Sequence, residues 1–139
     1  MKNNFYQILD FPFHNSKNGS LIAFQNLSTH ERDALPIDIK RILVIKDAKN
    51  DDVRGGHTHH KTRQILFAIN GTCTVTLDNG KEKATVSLET FSRGVLLEPY
   101  VWHTMENFEP HTILLVLANT EYNEEDYIRS YDEFLKYIK

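Results

Sequence analysis

Residues 54–60 read Arg54-Gly55-Gly56-His57-Thr58-His59-His60, and the spacing of their histidines guides the interpretation of the whole chain. Alternate residues of an extended strand point to the same face, so His57 and His59 are expected to enter one cavity together. His60 is expected to point to the opposite face. Paired imidazoles in a cavity indicate either a metal site or a metal-free site of proton transfer.

The sequence on both sides of this run predicts an all-β fold. Short segments rich in β-branched and aromatic residues alternate with Gly, Asn, Asp and Pro. Asn70-Gly71 and Asp78-Asn79-Gly80 lie between such segments and predict tight hairpin turns with positive φ. Besides the histidine strand, the predicted strands are residues 21–24, 39–46, 64–70, 73–77, 83–88, 95–97, 104–107 and 112–118. So many short strands without helices between them favour a small β-barrel or a double-sheet jelly roll.

The end of the chain has a different, helical pattern. Ser130 is followed by Tyr131, Phe134, Leu135 and Ile138 at helical spacing, with acidic residues early and lysines late. We therefore predict a short C-terminal helix, preceded by a helical turn at residues 124–127, so that residues 124–138 form a helical segment. With 139 residues, the chain is expected to form a single domain over residues 1–139.

The composition excludes several classes of partner. Hydrophobic residues make up 40% of the chain and charged residues 25%, and the formal net charge is -3, so nothing attracts nucleic acid or anionic membranes in general. No apolar stretch approaches the roughly 20 residues that span a bilayer. The single Cys73 cannot form an internal disulfide, and the N-terminus lacks the apolar core of a signal peptide. We expect a cytoplasmic protein with no nucleic-acid or membrane partner.

The spacing around the histidines resembles the two-part signature of the cupin superfamily of small β-barrels. Its first part has a Gly before His-x-His, then an acid, then a Gly that closes a hairpin; its second part has Pro-x-Gly, a His and an Asn. The residues that match are His57, His59, Gly71, Pro99, His103 and Asn107, while Gln64 stands in place of the acid and Val101 in place of the Gly.

Gln64 bears on the choice between metal and proton transfer. The resemblance implies that metal-binding cupins use the two paired histidines, the acid and the distal histidine as ligands. An amide is a neutral and poor ligand for a divalent ion, and without the carboxylate only three neutral imidazoles remain. We therefore expect neither a metal nor another cofactor, although zinc sites built from histidine alone exist.

A second resemblance is narrower and covers nearly the whole chain. The sequence is similar to the nucleotide-sugar 3,4-ketoisomerases of the WxcM-like cupins, which act without a metal. The similar stretches are residues 19–21, 39–41, 54–59, 64–66, 70–71, 99–105, 116–118 and 126–134. The resemblance implies conversion of dTDP-4-keto-6-deoxyglucose to a dTDP-3-keto-6-deoxyhexose, on the way to a 3-amino sugar of a surface polysaccharide or glycoprotein.

Histidine suits this reaction on chemical grounds. Moving a carbonyl between neighbouring carbons requires a base that removes the C3 proton, an enediol or enediolate intermediate, and delivery of a proton to C4. An imidazole with an ordinary pKa of about 6.5 accepts and returns protons near neutral pH. We predict that His57 and His59 share this acid/base work; the alternative is that one of them is only a hydrogen-bonded structural residue.

The remaining candidate residues are assigned to substrate binding: Arg54, Arg41, Gln64, His103, Tyr100 and Asn107. A guanidinium offers a fork that matches phosphate, which favours the two arginines as ligands of a diphosphate. Arg54 lies three residues before His57, so it faces the cavity only if Gly55-Gly56 bends the strand. His103 and Trp102 alternate, and the cupin pattern places His103 inward.

One departure from the family concerns a hydroxyl group. The family commonly has two tyrosines after Arg41-Ile42, one of which reaches the active site, and here those positions are Leu43 and Val44. Either another group, such as Tyr100, His103 or a water molecule, supplies the hydroxyl, or the substrate or stereochemistry differs. The alternatives to a ketoisomerase are a 3,5-epimerase, a sugar-nucleotide-binding protein without turnover, and a metal-dependent cupin enzyme.

The resemblance also implies partners. Family members usually form dimers through added N-terminal strands, and the aromatic N-terminus, with Phe5, Tyr6, Phe11 and Phe13, is more apolar than a free tail should be. We expect a homodimer whose substrate, a dTDP-linked keto-deoxyhexose, comes from a 4,6-dehydratase. A pyridoxal-phosphate aminotransferase is expected to consume the product.

Overall fold

The computed structural model describes residues 5–29 and 34–138. Within these ranges the chain forms twelve strands, one α-helix and two short 3-10 turns. The strands are β1 Tyr6–Asp10, β2 His14–Ser16, β3 Gly19–Leu21, β4 Arg41–Lys46, β5 Arg54–His59, β6 Gln64–Asn70, β7 Cys73–Asp78, β8 Lys83–Leu88, β9 Arg93–Leu97, β10 Trp102–Glu106, β11 Ile113–Ala118 and β12 Tyr127–Ile128. The turns are Leu27–Thr29 and Glu124–Asp126, and the helix α1 is Tyr131–Tyr137.

Ten of these strands form two five-stranded antiparallel sheets. The first sheet has the order β1-β9-β6-β11-β4 and the second the order β12-β5-β10-β7-β8, while β2 and β3 pair with each other. The predicted all-β class with a short C-terminal helix is confirmed. Over the described ranges the two sheets are separate hydrogen-bonded units, so the fold is a double-sheet jelly roll rather than a closed barrel.

The main core lies between the inner faces of the two sheets. Alternate residues of the strands point inward, as in β7, where Cys73, Val75 and Leu77 are buried. β6 is buried continuously from Gln64 to Ala68 because its outer face is covered as well. There Phe67 packs in a second cluster whose other buried members are Leu9, Leu35, Ile37, Ile65, Leu96 and Leu117.

The N-terminal aromatic residues pack within their own chain. Phe5 is buried, and the ring of Phe11 lies 6.1 Å from Phe24 and 6.2 Å from Phe67. β1, which the sequence analysis did not predict, pairs with β9 of the same chain. These contacts explain why this segment is apolar without invoking a second subunit.

The strand predictions differ from the structure mainly at the ends of the strands. β6 and β8 begin and end as predicted, whereas residues 39–40 precede β4 and β9 begins at Arg93. The strand predicted at residues 21–24 is wrong, because the pairing with β2 involves Gly19–Leu21. The strand predicted at 104–107 lies at Trp102–Glu106 and ends before Asn107, whose φ of 56° is incompatible with an extended ladder.

The hairpin turns and the terminal helix are confirmed. Gly71 and Gly80 have φ values of 70° and 90°, as tight turns require. The hydroxyl of Ser130 accepts a hydrogen bond from the backbone N–H of Glu133 and caps α1. The predicted helical segment 124–138 is interrupted, because β12 leaves the helical conformation to pair with β5. None of the described helices is long and apolar enough to cross a membrane.

Candidate active site

A cavity of about 250 Å³ lies at the open end between the two sheets. The first sheet provides one wall through β4, β6 and β11, and the second sheet provides the opposite wall through β5, β10 and β12. The lining residues are Leu43, Val44, Ile45, Arg54, Gly55, His57, Gln64, His103, Met105, Val116 and Tyr127. None of these lining residues is acidic. Those of the first sheet are mostly apolar, and those of the second sheet include Arg54 and two histidines.

Three imidazoles come together at the base of the cavity because of the pairing of β5 with β10. His57 lies opposite His103 in that pairing, and their ring centroids are 4.8 Å apart. His59, two residues further along β5, has its ring centroid 5.1 Å from that of His57 and 6.0 Å from that of His103. Strand alternation thus brings His57 and His59 to one face, as the sequence predicted.

The two histidines of β5 differ in their exposure to the cavity. His57 lines it, whereas His59 is only 2% exposed and lies behind the lining residues. The Nε2 atom of His59 is 3.4 Å from the side-chain nitrogen of Gln64, which is also buried. Tyr127 packs against His59 with ring centroids 4.5 Å apart, and the part that His59 plays in the site stays a prediction.

The environment keeps all three imidazoles neutral. Burial, followed by the charges of His103 and Arg129, lowers the pKa of His57 from 6.5 to about 4. Burial and the neighbouring histidines lower the pKa of His59 to about 2. The pKa of His103 is also lowered, because the ring is fully buried. Near neutral pH the cluster therefore offers lone pairs that can accept protons rather than positive charges that hold an anion.

Hydrogen bonds distinguish His57 from His103. Nδ1 of His103 lies 3.1 Å from the carbonyl oxygen of Val101 and donates to it, since a carbonyl only accepts. The other ring nitrogen of neutral His103 is therefore an acceptor. Nδ1 of His57 is buried and makes no hydrogen bond of normal geometry to the described residues, although the nearby backbone of Gly55 acts to raise the pKa of the ring. His57 is thus held less tightly by hydrogen bonds than His103.

Of the two candidate arginines, Arg54 lines the cavity from the second sheet, and Arg41 of the first sheet contacts the lining residue Tyr127. Gly55 and Gly56 have φ values of 85° and 75°, and this irregular backbone lets Arg54 and His57 line the same cavity. A Cβ on Gly55 would lie 2.9 Å from the carbonyl oxygen of His103, so glycine is required for close approach of β5 to β10. Arg41, on β4, donates from Nη1 to the hydroxyl of Tyr127 at 3.4 Å, and its Nε is buried without a partner.

With this geometry established, comparison with known proteins identifies the family. The family model described as WxcM-like, C-terminal matches residues 4–139. The chain belongs to the WxcM-like family. The TDP-4-oxo-6-deoxy-alpha-D-glucose-3,4-oxoisomerase of Aneurinibacillus thermoaerophilus is 39% identical over 135 residues, which are 97% of this chain and 89% of the relative.

Solved structures of WxcM-like relatives have the same fold. A 3,4-ketoisomerase from Helicobacter canadensis aligns with a TM-score of 0.89 and 40% identity over 96% of each chain. An asparagine-for-histidine mutant of a 3,4-ketoisomerase from Thermoanaerobacterium thermosaccharolyticum, in complex with TDP-4-keto-6-deoxyglucose, aligns with a TM-score of 0.89 and 30% identity. That alignment covers 99% of this chain and 96% of the relative.

Two residues that the sequence analysis assigned to substrate binding lie outside the cavity of this WxcM-like protein. The hydroxyl of Tyr100 is 3.0 Å from Nδ1 of His60, and its ring stacks on Tyr137 at 5.9 Å. Tyr100 has a φ of 61°. Asn107 is exposed in the turn after β10 and is not among the lining residues. A role of either residue in substrate binding stays a prediction that this cavity does not support.

Tyr127 is the cavity residue that the sequence analysis did not assign. It belongs to the C-terminal stretch by which the chain resembles the family, but it was predicted as the end of a helical turn at residues 124–127 and not as part of a strand. Pairing with β5 places Tyr127 opposite His59, with its ring centroid 5.1 Å from that of His57. Leu43 and Val44, which replace the family tyrosines, do line the cavity.

The donor set of this WxcM-like cavity does not fit the divalent metal that many cupins bind. The lining residues include no carboxylate, and the amide of Gln64 is a poor ligand for a divalent ion. Across the described ranges, no group of three or more His, Cys, Asp or Glu side chains has an arrangement that would hold a metal ion. The arrangement instead suits proton transfer by neutral imidazoles.

Proposed function

We propose that this protein is a sugar 3,4-ketoisomerase that converts dTDP-4-keto-6-deoxyglucose to a dTDP-3-keto-6-deoxyhexose through an enediol or enediolate. The observation that carries the proposal is the neutral His57 imidazole, which lines a cavity whose lining residues include no acid. A neutral imidazole can accept a proton from a carbon next to a ketone. The matched relatives, whose names specify this reaction, support the choice of substrate.

In the proposed reaction His57 takes the C3 proton and later delivers a proton to C4. As the C3–H bond breaks, its electron pair forms the C3=C4 double bond and the C4 oxygen gains negative charge. The intermediate then forms the new carbonyl at C3, and C4 takes up the proton. One imidazole is sufficient for both carbon transfers if it lies over both carbons on one face of the sugar ring.

His59 has a different role from His57 in this proposal. An imidazole with a pKa near 2, buried behind the lining residues, does not accept a proton in the working pH range. We assign it to positioning, because it contacts Gln64, Tyr127 and His57 at once. His103 accepts a hydrogen bond from the substrate through its free ring nitrogen, and Gln64 completes this wall.

The diphosphate of the substrate is assigned to the arginines. Arg54 is exposed at the cavity mouth, and Arg41 has a buried Nε without a partner. Fork-shaped guanidinium groups bind phosphate oxygens well. Arg54 lines the cavity and Arg41 contacts its lining residue Tyr127, and neither is in an ion pair with a described residue. We place the diphosphate between them, with the sugar ring directed toward His57.

Proton NMR in deuterium oxide tests the proposed reaction. Metal-stripped wild-type protein is mixed with dTDP-4-keto-6-deoxyglucose, and the C3 proton signal and any 3-keto product are followed. His57→Asn should abolish conversion while leaving dTDP binding intact, because the ring is not assigned to the diphosphate. His111→Asn is the matched control, since His111 is exposed and has a φ of 66°, which Asn tolerates. Exchange at C5 instead of C3 would contradict the proposal in favour of an epimerase, and binding without exchange would favour a sugar-nucleotide-binding protein.

We also propose that the protein is a cytoplasmic homodimer, acting between a 4,6-dehydratase and a pyridoxal-phosphate aminotransferase through a diffusing product. β4 is a six-residue edge strand, and its Ile42, which does not line the cavity, is 59% exposed. An apolar edge of this kind is a template for pairing with another strand, and a second copy of the chain would cover it. Sedimentation of wild type and Ile42→Lys tests this point: a dimer that the substitution dissociates is expected, and a monomeric wild type would contradict it.

A further inference from the structure

A ketone migration needs a second proton transfer that His57 does not perform. The proton on the C3 hydroxyl must leave when C3 becomes the carbonyl, and the C4 oxygen must gain a proton when it becomes a hydroxyl. A group that donates to one oxygen and accepts from the other accomplishes both steps. The two residues at the positions of the family tyrosines, Leu43 and Val44, line the cavity but carry no hydroxyl.

Tyr127 places a phenol hydroxyl in this cavity by a different route. It is on β12, and the register with β5 sets its side chain beside the imidazoles, with ring centroids 5.1 Å from His57 and 4.5 Å from His59. A side chain held by a strand pairing and by ring contacts on one face keeps a defined position. Tyr127 therefore lines the same cavity as His57, with its ring against the imidazoles.

The hydrogen bonding of Tyr127 leaves its proton available to a substrate. Nη1 of Arg41 donates to the phenol oxygen at 3.4 Å, so the oxygen acts as the acceptor in that contact. Among the described residues no acceptor for the phenol proton itself is found. The proton is thus free to be donated into the cavity, where a sugar oxygen can receive it.

Two cations stand next to the phenol. The guanidinium of Arg41 contacts its oxygen, and the guanidinium carbon of Arg129 lies 4.3 Å from the ring centroid. Glu124 holds Arg129 in place through two hydrogen bonds of 2.7 and 2.9 Å. Arg41 thus contacts the phenol oxygen, and Arg129, in an ion pair with Glu124, covers one face of the ring.

The other candidates for this transfer are unsuitable. The hydroxyl of Tyr100 is bonded to His60 outside the cavity. Neutral His103 donates its ring proton to Val101, so its free nitrogen accepts a proton but has none to give. His57 is already occupied with the proton on carbon. Tyr127 is the cavity-lining residue that has a proton to donate.

We propose that the hydroxyl of Tyr127 shuttles the oxygen-bound proton of the reaction, replacing the tyrosine that Leu43 and Val44 lack. The step rests on the proposed ketoisomerase function and is balanced without any further reactant. When His57 removes the C3 proton, the phenol gives its proton to the C4 oxygen. When the C3 hydroxyl loses its proton to the phenol oxygen, the C3 carbonyl forms, and the proton on His57 goes to C4.

Tyr127→Phe tests the proposal, since it removes the hydroxyl and keeps the ring that packs on the imidazoles. We expect kcat for conversion of dTDP-4-keto-6-deoxyglucose to fall by about 10²–10³-fold, with KM and dTDP affinity changed by less than about threefold. The melting temperature should be unchanged. Tyr137→Phe is the matched control, because Tyr137 is half exposed and packs against Tyr100 and His60 outside the cavity; it should keep kcat within about twofold of wild type.

The outcomes separate this inference from the function on which it rests. An active wild type with an equally active Tyr127→Phe variant overturns the role of Tyr127 alone. A loss of kcat matched by an equal loss of dTDP affinity also overturns it, because the residue would then act in binding or folding. A wild type that shows no exchange at C3 overturns both the ketoisomerase function and the shuttle.

Discussion

Acidification should destabilise this fold through His59, and the size of the effect follows from its burial. Burial, together with the charges of His103 and His57, lowers the pKa of His59 from 6.5 to about 2. In the unfolded chain the same imidazole takes up a proton near its ordinary pKa, whereas the folded chain does not. As the pH falls below about 6.5, the unfolded state holds the extra proton, and the free energy of unfolding decreases.

For His59 alone, lowering the pH from about 7.5 to about 5 removes about 2 kcal/mol from the free energy of unfolding. The pKa values of His57 and His103 are lowered as well, so they act in the same direction and the wild-type loss should exceed this figure. Because the pKa of His59 in the folded chain is about 2, the loss of unfolding free energy caused by this residue continues to increase as the pH falls toward that value.

The assay is urea unfolding, followed by circular dichroism at the two pH values, for wild type and His59→Gln. The variant should be less stable at about pH 7.5, since it loses packing against Tyr127, but it should lose about 2 kcal/mol less on acidification. His14→Gln is the control, because His14 is exposed on β2, and it should retain the wild-type difference. Equal acid losses in wild type and His59→Gln would refute the conclusion that His59 is held neutral.

Three further expectations concern pH, backbone and metal. The kcat/KM of wild type should stay level from about pH 8 to about pH 5, because the pKa of His57 is about 4. If the base had a pKa of about 6.5, kcat/KM would instead fall about tenfold by about pH 5.5. The decrease of kcat in acid should begin at a higher pH than the decrease of kcat/KM. Gly71→Ala should cost roughly 2–4 kcal/mol in urea unfolding, because Gly71 has a φ of 70° and an added Cβ would overlap the side chain and backbone of Thr112. Gly19→Ala should cost less, since nothing lies within 4 Å of its added Cβ. Treatment with a chelator should leave turnover unchanged, and activity restored only by added metal would contradict the metal-free reading.

Much of the fold could be predicted from the sequence because its signals are local. β-branched runs marked β6 and β8, and Asn70-Gly71 marked the hairpin between β6 and β7. Strand alternation placed His57 and His59 on one face, and it separated His103, which faces the cavity, from Trp102, which packs on Phe134 with ring centroids 5.7 Å apart. These features depend only on residues close together in the chain.

The residues whose positions could not be predicted either have an unusual backbone conformation or depend on pairing between distant parts of the chain. Tyr100 and Asn107 adopt positive φ, which asparagine tolerates but which nothing in the sequence indicates for Tyr100. Tyr127 reaches the cavity only because β12 pairs with β5, a contact between the tail and the middle of the chain. A two-residue strand is too short for a periodic pattern to reveal it.

The absence of acid from the cavity lining explains how a weakly basic imidazole can remove a proton from carbon. Burial and the neighbouring positive charges keep His57 neutral in the free protein, which leaves its lone pair available but makes it a poor base. The proposed substrate brings the missing negative charge, first in its diphosphate and then in the enediolate oxygen as the C3 proton leaves. Negative charge beside an imidazole raises its pKa, so His57 becomes a stronger base only when substrate is bound and as the reaction proceeds. A carboxylate in the position of Gln64 would lie beside His59, would supply negative charge to the histidine cluster before substrate arrives, and would repel the enediolate. The neutral amide at this position therefore favours the transition state over the free protein.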